Sequence, residues 1–240
     1  MKGINLTRLK DESRYKMLGN YGSLVNGVLF IKLSNVLISD VLSYISTVED
    51  WMINLIVFLV QILLNCLLIG YYKICFNIID DKEVAFADLF TAFKSDTNKA
   101  IIISTILSFF EMLPTFAVSC FNIVYANRLD TVDLVLVNVA VYAVGLVVLL
   151  FFYTYFVLSI PIFLSHQELT AVETIKESVS IVNQNFFDFF KLIFSFAGYY
   201  ILGFVTFQIS ELFTAPYMYM TQIYFYKETK GENNGYYFEA

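Results

Sequence analysis

Histidine occurs once in this 240-residue chain, proline and cysteine three times each, and charged residues make up only 15%. A lone His166, with Glu168 and Glu173 nearby, is a poor basis for a metal centre, which draws on several His or Cys ligands. It reads instead as an interfacial polar residue ahead of a helix cap at Thr170. Cys66, Cys75 and Cys120 form no CxxC pair and lie in or at the ends of apolar runs, so free buried thiols are expected rather than a disulfide framework. There is no HExxH, GxSxG or Walker loop, and no pair of acids in a catalytic frame, so no enzyme, cofactor or metal is implied. A net charge of −6 and a pI near 4.8 give no basic footprint for nucleic acid. The opening MKGINLTRLKDESRYKM lacks an apolar stretch followed by a small-residue cleavage site, so a cleavable signal peptide is not expected.

What the chain does have is hydrophobicity, 58% of its residues against roughly 45–50% in soluble domains. The excess falls in runs of about 20 residues, the length that crosses a hydrocarbon core of ~30 Å. Backbone groups in lipid must be satisfied within the segment, so such runs are helices. The expectation is an all-α polytopic membrane protein, with one membrane domain over 1–226. Its six spans are placed at about 21–46, 51–76, 100–124, 133–164, 186–208 and 209–226. Pro216, about two turns into the last span, is expected to remove a hydrogen bond and to push Ala215 away from helical angles. Residues 227–240 read as a polar, disordered tail.

Lys and Arg set the orientation. Thirteen fall on one side: Lys2, Arg8, Lys10, Arg14 and Lys16; four between 73 and 99; Lys176 and Lys191; Lys227 and Lys230. Arg128 stands alone on the other side, and Lys32 lies inside the first span. Both termini are therefore expected in the cytoplasm of a cell-membrane protein.

A unit recurs three times. TRLKDESRYKML, EVAFADLFTAFK and TAVETIKESVSIV each precede an outward-going span and end in a polar break near Asn20, Asn98 or Asn185. Phe86, Leu89, Phe90 and Phe93 share a face in the second, and Val172, Ile175, Val179 and Val182 in the third, where Thr170 and Glu173 form a capping box. Short amphipathic helices of this kind lie in the membrane plane. The architecture is thus three transmembrane hairpins, each preceded by a cytoplasmic in-plane helix. The competing account is that any hairpin protein needs polar connectors, some of them amphipathic by chance.

Three polar residues lie deep in the runs. Glu111 is about eleven residues, or ~16 Å, from the start of the third span. Lys32 lies equally far into the first, and Gln61 about ten residues into the second. The three counts define a midplane polar layer of Lys32, Gln61 and Glu111, in which Lys32 and Glu111 are expected to pair because an isolated charge there is costly. The layer is either a structural pair that orients helices or part of a proton, ion or substrate path. Pro114 is placed to open the helix beside Glu111. Tyr217, Thr221 and Tyr224 form a stripe on the sixth span that either lines a cavity or bonds neighbouring helices.

The sequence AVETIKESVSIVNQNFFDFFKLIFSF, followed by APYMYMTQIYFYKE, resembles bacterial integral membrane proteins grouped as domain of unknown function 975. The matching features are Lys176-Glu177-Ser178, the Asn185-aromatic step, and Pro216-Tyr217 followed by Thr221 and Phe225-Tyr226. Arg14 with Leu18-Gly19-Asn20-Tyr21 is similar to the family's opening motif. The family's central Ile-Pro-Gly-like element is represented only by Leu113-Pro114-Thr115 and Ile160-Pro161-Ile162, and Gln184 stands where a Gly is expected. The resemblance implies six spans with cytoplasmic ends and supplies no activity.

Three functions fit these features. The first is a non-enzymatic scaffold or accessory subunit that meets another membrane protein, or a second copy of itself, within the lipid bilayer. The alternatives are a small transporter or channel-like protein using the midplane layer, and an immunity protein against a membrane-active peptide. The first is the expectation carried forward.

Overall fold

A computed structural model describes residues 4–43, 50–125 and 130–231. The described chain is helical, with no strand among these residues. The elements are α1 (Leu6–Met17), α2 (Tyr21–Ser43), α3 (Asp50–Ile79), a 3₁₀ helix (Phe86–Phe93), α4 (Thr97–Glu111) and α5 (Leu113–Tyr125). They continue as α6 (Thr131–Phe156), α7 (Ser159–Ser165), α8 (Ala171–Gln184), α9 (Phe186–Phe194), α10 (Ala197–Val205) and α11 (Glu211–Lys230).

Four segments are long and apolar enough to cross a membrane: Tyr21–Ile38, Met52–Ile79, Val132–Ser165 and Phe186–Val205. The bent pair α4 and α5 makes a fifth if taken as one span. The 46° bend falls at Met112, two residues before Pro114. Proline has no N–H to donate, and its ring crowds the carbonyl four residues back, so the helix breaks where the sequence places that residue. A Cβ added to Gly145 of α6 would lie 2.7 Å from the Pro114 Cα, so the bend is seated directly on α6.

The expected sixth span is corrected. α11 is not among the segments apolar enough to cross, and nearly every residue from Ala215 to Tyr226 is buried in protein. Its apolar side chains face other helices rather than lipid. It also runs unbroken through Pro216, so Ala215 remains helical. It continues to Lys230, which makes the first four residues of the expected tail helical, while 232–240 lie outside the described residues. Residues 44–46 of the first expected span and Arg128 lie outside them as well.

Short helices stand at the three expected places in the sequence, α1, the 3₁₀ helix and α8, but the last two turn inward faces other than the expected ones. α8 begins at a capping box in which Thr170 and Glu173 bond each other's backbone. The residues it turns inward are Ala171, Thr174, Ser178, Ile181 and Val182, whereas Val172 of the expected apolar stripe is exposed. Ser178 donates to the Tyr155 carbonyl at 2.7 Å, so small polar residues allow the close approach. The second helix is 3₁₀ rather than α. Three residues per turn align Phe86, Leu89 and Ala92, of which Leu89 and Ala92 are buried while Phe86 and Phe93 stay exposed.

One end of the helical body is tied together by ion pairs between distant segments. Lys16 of α1 meets Asp81 at 2.5 Å, Lys227 meets Asp80, Arg8 meets Glu228, and Lys230 meets Glu177 of α8. Burial pushes the Asp80 carboxyl up, but Lys227 and Lys82 together outweigh it and hold the group below the usual carboxylate range. This end carries most of the packed core, including Leu9, Tyr71, Tyr72, Leu158, Phe189 and Phe225.

Candidate functional site: a polar layer inside the helices

Glu111 ends α4 at the bend, where Gln61 and Asn65 of α3 face it. Both side-chain amides donate to one carboxylate oxygen, Gln61 Nε2 at 2.7 Å and Asn65 Nδ2 at 2.9 Å. Asn65 Nδ2 also lies 2.9 Å from the Ser108 hydroxyl, and Cys66 Sγ lies 3.3 Å from the Ser104 hydroxyl one turn below. Together these bonds fix α3 against α4 in antiparallel register. Gln61 and Asn65 are four residues apart and so share a helix face, the signal by which Asn65 was findable in the sequence. The carboxyl also borders a void of about 10 Å³ between Phe110, Phe152, Tyr153 and Phe156, roughly the room one water requires.

Lys32 does not reach Glu111. Its ammonium donates to the Gln208 side-chain oxygen Oε1 at 2.8 Å and to the Glu211 carboxylate. Gln208 lies in the turn between α10 and α11, where Phe207 (φ 50°) and Gln208 (φ 66°) are both left-handed. The Gln208 amide closes that turn on the Gly203 carbonyl at 2.7 Å. A Cβ on Gly203 would lie 3.0 Å from Glu211 Oε1, so the small residue leaves room for the carboxylate. The expected layer of Lys32, Gln61 and Glu111 is therefore two separate clusters, one on α3 and α4, the other on α2 and the α10–α11 turn.

Below these clusters, Tyr72 donates to Gln222 Oε1, and the Gln222 side chain also bonds Tyr153. In the expected stripe, Tyr217 packs edge-on against Phe196 and Tyr199, with the Arg14 guanidinium 5.2 Å from its ring centroid. Thr221 donates to the Tyr217 carbonyl at 2.7 Å and lies 3.1 Å from the Ser13 hydroxyl of α1. Tyr217 borders a groove that also takes in Arg14, Tyr21 and Phe213, whereas Thr221 and Tyr224 are buried. His166 Nδ1 faces Glu168 at 3.1 Å, while Glu173 is engaged with Thr170. Cys66 and Cys75 are buried free thiols and Cys120 is an exposed one.

A family model described as "Protein of unknown function (DUF975)" matches residues 4–233, nearly the whole chain. The chain belongs to that family. No curated protein and no solved structure matches it. The match covers both polar clusters and the eleven α-helices among the described residues of this DUF975 member.

An acceptor at position 111 is what the two amides require. Glu111→Gln keeps one and should leave the thermal midpoint in detergent nearly unchanged. Glu111→Leu strands two donors and should cost about 1–3 kcal/mol, read as a lower midpoint in the same assay.

Proposed function

We propose that the protein is a non-enzymatic accessory subunit of the cytoplasmic membrane, with both termini in the cytoplasm, which meets another membrane protein through its α5–α6 face. The asymmetry of Lys and Arg supports the orientation. The helical order supports an arrangement of three hairpins, α2 with α3, α4–α5 with α6, and α9–α10 with α11.

One observation carries the lateral-contact reading. α5 and α6 pack on each other and leave between them an open apolar groove that includes Phe116, Ala117, Ala140, Val144 and Gly145. Small residues at such a place let a second helix approach closely, and close van der Waals packing drives helix association in lipid. The polar clusters, by contrast, are already satisfied within the chain.

A photo-crosslinking residue at Val144, which is 65% exposed, should give one adduct of defined mass in native membranes. Ala140→Leu, which fills the groove, should abolish it. The same probe at Leu37, 64% exposed on α2, should give none. Lipid adducts alone at Val144 would sink the proposal.

Transport is the second reading, favoured by the carboxylate that Gln61 and Asn65 hold inside the span. It requires a pH-dependent ion flux in liposomes that Glu111→Gln removes without loss of folding.

A further inference from the structure

The depth of the third hairpin follows from its register against α2 and α3. α11 runs alongside α3 in the same direction, with Tyr72 bonded to Gln222 and Lys227 meeting Asp80. From Gln222 up to Glu211 is roughly 16 Å of helix, while α3 continues from Tyr72 to Asp50 for roughly 33 Å. The turn between α10 and α11 therefore stops about halfway along the remaining length of α3. An independent count agrees. Lys32, which holds Gln208 and Glu211, has eleven residues of α2 on either side. α9 and α10 descend beside α11 over the same distance, with Gly203 next to Glu211, Phe196 against Tyr217, and Phe189 against Phe225.

From these registers we infer that α9, α10 and α11 form a re-entrant hairpin, inserted from the cytoplasmic side, whose tip at Thr206–Ser210 ends near the bilayer midplane against lipid acyl chains. The chain then crosses four times, by α2, α3, α4–α5 and α6, and both termini still share one side. The tip has the surface that acyl chains demand: Phe207 is 90% and Phe204 86% exposed, and Val205 and Ile209 also point outward. The polar side chains there bond one another, Lys32 closing on Gln208 Oε1 and Glu211, and Thr206 on Ser210 at 2.9 Å. A crossing hairpin would instead bring its turn to the outer headgroups, where exposed Phe207 and Ile209 would meet water. At the other end of the hairpin, Asp188 and Lys191 of α9 form an i,i+3 pair at the level of the ion-paired cytoplasmic end.

The inference rests on α2 and α3 being true crossings, and one experiment separates the two claims. Trp51, the second residue of α3, is the protein's sole tryptophan. Its fluorescence in vesicles containing lipids brominated at stated acyl positions reports the depth of the α3 end. The Trp51→Phe/Phe207→Trp variant reports the depth of the tip, with Trp51→Phe/Phe204→Trp as a second probe should the first disturb the turn. The native protein is expected to be quenched most by shallow bromines, and both variants most by bromines near the chain ends. Equal shallow quenching of variant and native protein would overturn the re-entrant hairpin in favour of a full crossing. Absence of lipid quenching at both tip positions would overturn lipid as the occupant and point to protein, such as a second copy. Deep quenching of Trp51 itself would remove the premise that α3 crosses.

Discussion

Lys32→Met should lower stability by about 3 kcal/mol, and adding Glu211→Gln should restore most of that loss. The ammonium of Lys32 is held by the Glu211 carboxylate and the Gln208 side-chain oxygen Oε1, well inside the length of α2. Removing one member of a buried pair leaves the other charge without compensation, which costs on the order of 3–5 kcal/mol, whereas replacing both with neutral groups is often harmless. The partial exposure of both side chains, 33% and 25%, places the expected value at the lower end. The same cycle run on Lys32 and Glu111 should be additive, because no bond joins them and separate sites sum. Thermal unfolding in detergent of the four proteins in each cycle checks both statements. A large coupling between Lys32 and Glu111 would mean that the helices are arranged differently from this structure.

Gly70→Ala should be the most damaging Gly→Ala change among the described residues. A Cβ there would lie 1.9 Å from the Leu89 carbonyl oxygen and 2.6 Å from its Cα, so the obstacle is backbone. Leu89 and Ala92 are the buried residues by which the 3₁₀ helix sits on α3, and Asn77 of α3 holds the same helix through Asp88 at 3.1 Å. The added methyl must lift that helix away. Overpacking of this kind costs about 1–3 kcal/mol, and occasionally more when the backbone has to move. Gly198→Ala in α10, with nothing within 4 Å, is the matched control and should be neutral or slightly stabilising through helix propensity. Equal melting of the two variants would refute the seating of the 3₁₀ helix.

Hydropathy made the apolar helices legible because lipid imposes both length and helicity on any run that meets it. Aromatic content misled at α11, where TAPYMYMTQIYFY is rich in rings but falls short of the hydropathy of the other runs and is buried in protein. Counting residues gave the axial depth of Lys32, Gln61 and Glu111 and correctly brought Gln61 to Glu111. It missed Lys32's partner because depth says nothing about which helices are neighbours, and Glu211 stands at the edge of its run. The capping box at Thr170 was readable since caps are local. The face by which α8 docks was not, because Ser178 finds its partner 23 residues away, at the Tyr155 carbonyl.

The ion-paired end also sets an order of assembly. α1 buries Leu9, Glu12, Ser13 and Met17 mainly against α11, with Arg8 meeting Glu228 and Ser13 near Thr221. During synthesis the ribosome must deliver more than 200 residues before α1 meets its partner. Helices α2 to α6 can form as they emerge, but the ion-paired core stays open until α11 closes it. A contact so distant in sequence forms slowly, and until then the inner face of α1 is free for a chaperone or for wrong partners. Loss of α11 therefore removes more than one helix: it leaves α1 without the surface on which it packs.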